Sequence, residues 1–147
     1  MIRVSREFEG GLLRLTLASP PANVLDTETL RSLSVAIEGV TTGQERAILL
    51  DYEGVHFSFG ASVEEHLPDV CGEMLAVFGR AIRAVVHAPV PVVAAVGGQC
   101  LGGALELAAA AHVRVVHSSA KLGLPEIRLG VFPPAAIALA PYRGLVL

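Results

Sequence analysis

The stretch PVPVVAAVGGQCLGGALELAAAAH, Pro89 to His112, constrains this chain more than any other. Between Arg83 and Glu106 no residue carries a permanent charge, and the run is long enough to cross a bilayer. Pro89 and Pro91 interrupt its start, however, and Gly97, Gly98, Gly102 and Gly103 break its middle. Together they cost a continuous helix several kcal/mol. A buried strand, a glycine turn and a helix fit better. Within that helix stands one acid, Glu106, three residues beyond a Gly-Gly pair. A membrane span avoids a carboxylate there and a plain core helix rarely takes one; a catalytic pocket can require it.

Composition supports a buried reading. Hydrophobic residues make up 52% of the 147 and charged ones 17%, which excludes a disordered chain and suits a single domain. A net charge of −3 with scattered basic residues gives no footprint for nucleic acid. Cys71 and Cys100 are too few for a disulfide framework, and MIRVSREFEG lacks the apolar core of a signal peptide. These features imply a reducing, cytoplasmic setting.

Along the chain, IRVSREFEGGLLRLTLASP reads as two strands around Glu9-Gly10-Gly11. Asp26 or Thr27 can cap a helix with Leu30, Leu33 and Ile37 at helical spacing. RAILLDY has the look of a strand buried on both faces, followed by the loop EGVHFSFGAS. From Asp69 to His87 a helix is expected, with Val70, Met74, Phe78, Ile82 and Val85 forming its core stripe. VPVVAAVGG is a second buried strand, leading to a helix from about Gly102 to Ala111. VRVVHS and KLGLPE are further short strands, and a last helix begins near Pro134. Alternating strands and helices predict an α/β fold on a mostly parallel sheet.

Three places can hold chemistry. In VGGQCLGGALEL, a glycine turn before a helix leaves backbone amides free, and the absence of a side chain at Gly102 and Gly103 lets another molecule approach. That suits a phosphate or a developing oxyanion. Tight strand–helix packing explains the same glycines equally well. Glu106, one turn along, should be buried with a raised pKa; a partly exposed helix glutamate, or one paired with an arginine, is the plainer explanation for a lone glutamate. In KLGLPEIRLG, Glu126 opens or caps a short helix, and a second glutamate beside an apolar turn makes a possible acid–base pair. In HFSFGASVEEH, Ser62 can cap a short helix through Glu65, leaving another free amide at Ala61. His56 and His66 lack a third partner at ligand spacing, so no metal site is expected.

Taken in order, PPANVLDTETLRSLSVAIE, HFSFGASVEE, AAVGGQCLGGALELA and LGLPEIRLGVFPP resemble the crotonase superfamily, the enoyl-CoA hydratases and isomerases. HFSFGASVEEHLP looks most like the branch that hydrates cyclic dienoyl-CoA thioesters in anaerobic aromatic degradation. The resemblance implies a spiral of ββα units and a homo-oligomer, a trimer or hexamer built through a C-terminal helical region. It implies oxyanion donors at the amides of Ala61 and Gly103 and a catalytic pair in Glu106 and Glu126. It places Ala22, Asn23 and Val24, together with Ser58, Gly60, Ala61, Ser62 and Val63, and Gly102 and Gly103, along the acyl-CoA site. Coenzyme A enters as part of the substrate, and no metal or other cofactor is implied. The chain reads as one such core domain over 1–147, without the family's C-terminal helices and with a departure from its glycine-rich pattern after Pro133.

Both glutamates together favour hydration of an α,β-unsaturated acyl-CoA. An isomerase working with one glutamate, and a non-catalytic domain that binds acyl-CoA or serves assembly, are the alternatives.

Overall fold

The computed structural model describes residues 1–143. Strands β1 (Ile2–Glu7) and β2 (Leu12–Leu17) pair antiparallel, and Phe8, Glu9 and Gly10 take positive φ in the turn between them. Helix α1 (Thr27–Glu38) is capped by Asp26, whose carboxylate accepts the Thr29 amide at 2.8 Å. Then come β3 (Ala47–Tyr52), α2 (Cys71–Val86), β4 (Val92–Val96), β5 (Gln99–Leu101) and α3 (Gly103–Ala110). β6 (Val113–Val116), β7 (Lys121–Gly123) and α4 (Pro134–Arg143) complete the order. The long apolar run is thus two strands and a helix; among the described residues no helix is long and apolar enough to cross a membrane. The apolar end of the chain, beyond residue 143, lies outside the described residues.

Five strands form one sheet in the order β1-β2-β3-β4-β6, parallel after the first pair, while β5 and β7 form a second, parallel pair. Parallel neighbours need crossovers, and α1 and α2 supply those that follow β2 and β3. Leu13, Leu15, Ile48, Leu50, Val92 and Ala94 share one core with Leu30, Leu33, Met74, Phe78 and Val85 from the helices.

Two expectations need correction. β3 is not buried on both faces: Ile48 and Leu50 join the core, whereas Ala47 and Leu49 are half-buried. On that second face Asp51 is buried as well, but as half of an ion pair, accepting Arg14 Nε at 2.7 Å, so the face is covered by polar rather than core contacts. Helix α2 starts at Cys71 rather than Asp69; Val70 has a non-helical backbone (φ −122°, ψ −16°) and is exposed instead of joining the core stripe.

Candidate functional site

The loop after β3 is zipped onto the segment between β4 and β5. Phe57 and Ser58 donate their amides to Gly97 and Gln99 carbonyls at 2.9 and 3.1 Å, and Leu101 returns its amide to the Ser58 carbonyl at 3.1 Å. On its other side the loop bonds Leu25, which donates to Gly60 and accepts from Ser62 at 2.9 and 3.3 Å. Gly60 donates to Ser58 Oγ at 3.0 Å. The amides flanking Ala61 are therefore used, while that of Ala61 has no acceptor among the described residues.

Gly103 presents the same condition from the start of α3. Gly102 gives its amide to Gly123 at 2.8 Å, and Leu105 and Glu106 give theirs to Gly102, leaving Gly103 without an acceptor among the described residues. Gly102 holds φ 54° and ψ −130°, a backbone shape essentially reserved for glycine. A methyl group at Gly103 would lie 3.4 Å from the Ala61 nitrogen, and one at Gly60 would lie 3.4 Å from the Gly103 nitrogen. The two amides stand side by side at a cavity of about 760 Å³. Such a pair can hold one oxygen as it gains negative charge.

The two glutamates line that cavity. All eight residues of α3 are buried, Glu106 with 3% exposure. Its Oε1 accepts the amides of Ala135 and Ala136 at 2.7 and 2.9 Å, from the first turn of α4. Burial pushes its pKa up, the two amides pull it down, and the negative charge of Glu126 adds a smaller upward push; the net direction is upward. Glu126 sits in the short 3₁₀ segment Pro125–Leu129, which ends on left-handed Gly130. Glu126 Oε1 lies where it would be 2.8 Å from a methyl group on Gly102, so that glycine leaves it room. Glu126 Oε2 is buried with no partner among the described residues. A buried acceptor without a donor costs about 1–3 kcal/mol, and functional sites are where such costs are retained.

Of the residues expected along the acyl-CoA site, Gly60, Ala61, Val63, Gly102 and Gly103 line the cavity, whereas Ala22, Asn23, Val24, Ser58 and Ser62 do not. Asn23 is 1% exposed; its Oδ1 accepts the Ser19 amide at 2.8 Å and its Nδ2 donates to Glu53 and His56 carbonyls, both at 2.9 Å. Its polar atoms brace the loop rather than face a ligand. Ser58 is fully buried, with its hydroxyl taken by Gly60, and the Ala22 carbonyl accepts the Phe59 amide at 2.9 Å. Val24 is exposed outside the cavity. Ser62 does not cap the turn Glu64–His66, which has no side-chain cap; Glu65 reaches away to accept Thr27 N and Oγ1, both at 2.9 Å. His56 Nδ1 accepts the Gln99 amide and His66 Nδ1 donates to the Ser62 carbonyl. Among the described residues no group of three or more His, Cys, Asp and Glu is placed to hold a metal ion.

Sequence reasoning missed one wall of the cavity. Cys71, Met74, Leu75, Phe78, Gly79, Ile82 and Arg83 line it from a single face of α2, at helical spacing. The stripe itself was visible, but Met74, Phe78 and Ile82 belong to the core and to the cavity at once. The partnership of Glu106 with α4 left no local signal beyond the helix start at Pro134.

A sequence model of the family described as enoyl-CoA hydratase/isomerase matches residues 7–143. The chain belongs to the enoyl-CoA hydratase/isomerase family. It is 49% identical over 143 residues to a Thauera aromatica protein named cyclohexa-1,5-dienecarbonyl-CoA hydratase, covering 97% of this chain and 55% of that protein. A probable enoyl-CoA hydratase of Bacillus subtilis is 40% identical over 124 residues, 81% of this chain and 48% of that one. Among solved structures, an enoyl-CoA hydratase/carnithine racemase from Magnetospirillum magneticum superposes with a TM-score of 0.86 at 28% identity, over 98% of this chain and 57% of that one. The fold is the expected α/β, crotonase-like one. The chain spans about half the length of these relatives.

Proposed function

We propose that the chain carries the chemistry of an enoyl-CoA hydratase, adding water reversibly across the α,β double bond of an acyl-CoA thioester. The observation that supports this most is the pair of unpartnered amides, Ala61 and Gly103, opening onto a cavity that two glutamates share. The thioester oxygen accepts both amides. Glu106, ionised, takes a proton from water as the water oxygen bonds to the β-carbon. The π electrons move toward the thioester, and its oxygen gains charge between the two amides. Glu126, protonated, then supplies a proton to the α-carbon, and a proton passing between the two acids restores the site. A raised pKa makes Glu106 the stronger base once it is ionised. By microscopic reversibility the two carboxyls exchange roles in dehydration.

Coenzyme A enters as part of the substrate, and the scheme draws on no metal or redox group. The Thauera aromatica relative is named for a cyclic dienoyl thioester, which makes that compound the first to try beside crotonyl-CoA. The same reading carries assembly into a homo-oligomer, with Ile127, Phe132, Ile137 and Tyr142 exposed as apolar support. It also carries residence in the cytoplasm, where Cys71 and Cys100 stay reduced.

The test follows loss of the conjugated enoyl absorbance with both thioesters. The reading expects turnover, with Glu106→Gln and Glu126→Gln each lowering kcat by about 10²–10⁴. Loss through only one of the two changes points to an isomerase. Binding without any turnover, in a folded sample, removes the enzyme reading.

A further inference from the structure

One cavity residue has no part in the reaction proposed above. Arg83, in the last turn of α2, lines the same cavity as Glu106 and Glu126. Its neighbour Arg80 is held by Glu38 through two bonds, Nε to Oε1 at 2.9 Å and Nη2 to Oε2 at 2.5 Å. Arg83 has no carboxylate partner among the described residues. Its Nη1 would lie only 3.2 Å from a methyl group on Gly79, so the guanidinium folds back one turn into the notch that Gly79 leaves open. Gly79 also lines the cavity. The Arg83 side chain is exposed and also borders the surface groove lined by Glu38, Arg80 and His87, so its guanidinium stands at the rim of the cavity, with no carboxylate partner among the described residues.

Distance narrows what it can meet. Phe78 marks the level of the thioester site, because its ring lies 3.1 Å from where a methyl group on Gly103 would sit. Arg83 is five residues further on, about 7.5 Å along the axis and roughly 140° round it, but its guanidinium folds back onto Gly79, the residue next to Phe78. A group held by Arg83 thus lies near the level of the thioester site, within the span of a short acyl chain. The phosphates of coenzyme A are separated from it by the whole pantetheine arm, so the acyl group is the nearer source of an anion.

We propose that Arg83 is a specificity-determining residue that selects acyl groups carrying a carboxylate a few carbons beyond the double bond. The proposal rests on the acyl-CoA reading of the cavity and adds the chemical class of the acyl group. A planar guanidinium matches a carboxylate through two parallel hydrogen bonds. An uncharged ring or chain leaves Arg83 in water, because its side chain is exposed. Such substrates fit without gaining this contact.

The experiment compares 2-hexenedioyl-CoA with 2-hexenoyl-CoA, which differ only in a terminal carboxylate against a methyl. The readout is the ratio of their kcat/KM values. Arg83→Gln should lower that ratio about tenfold, the effect of losing one charge-assisted contact near solvent, and Arg83→Lys should retain part of it. A ratio unchanged in Arg83→Gln overturns the proposal. Parallel loss for both substrates, with weaker inhibition by free coenzyme A, would assign Arg83 to the phosphates instead and overturns it too. If neither thioester turns over, the hydratase reading fails alone. The same ratio, read from dissociation constants of the saturated pair adipoyl-CoA and hexanoyl-CoA, then decides on Arg83.

Discussion

Glu106 must be ionised to accept a proton, yet its surroundings resist that charge. Its folded pKa lies above the ordinary 4.5, chiefly through burial, so the folded chain keeps this proton to higher pH than the unfolded chain does. The stability linked to it is greatest below the ordinary carboxylate range and is lost as pH climbs through the raised value. Glutamine keeps an oxygen for the Ala135 and Ala136 amides and removes the titration. Glu106→Gln should therefore melt above the parent at pH 8, and the gap should close near pH 4. An equal gap at both pH values, by thermal melting, contradicts this account of the residue. The burial of Glu106 was legible from its neighbours Leu105 and Leu107 and the alanines after them. The two amides that hold it were not, since they come from 29 and 30 residues downstream. The resemblance set Asn23 and Ser58 along the acyl-CoA site; the inward turn of Asn23 depends on the Glu53 and His56 carbonyls, 30 and 33 residues on, whereas Ser58 is tied locally to the Gly60 amide.

At the scale of elements, patterns with a local cause were the readable ones. The hairpin shows in Glu9-Gly10-Gly11, the start of α1 in Asp26, and the core stripe of α2 in apolar residues at helical spacing. What escaped is docking: which loop lies on which turn. The contact between the Ala61 loop and the turn before α3 depends on Gly60, whose φ is +101°. A methyl group there would meet the Leu101 carbonyl oxygen at 2.6 Å, so Gly60→Ala forces both strain and separation. The substitution should cost about 1–3 kcal/mol in denaturant unfolding and lower kcat by spreading the two amides. Wild-type unfolding and turnover together would show that the close approach is dispensable.

Across the molecule, the sheet and its helices act as a frame that brings four separated stretches to one cavity: the loop near Ala61, one face of α2, the start of α3, and the segment from Pro125 to Ala135. The α/β class was readable because strands and helices alternate, and the ordered motifs carried the resemblance to the family. The second face of the sheet was misread because short apolar runs such as RAILLDY look alike whether one face or two are covered. Catalysis here requires Ala61 and Gly103 to act together on one oxygen, and a bound thioester reports on that directly. Butyryl-CoA labelled with ¹³C at the carbonyl cannot undergo hydration, so its infrared carbonyl stretch can be followed in the complex at rest. Two amides donating to that oxygen should move the stretch to lower frequency than in water. A bound thioester whose carbonyl absorbs where it does in water would contradict the account.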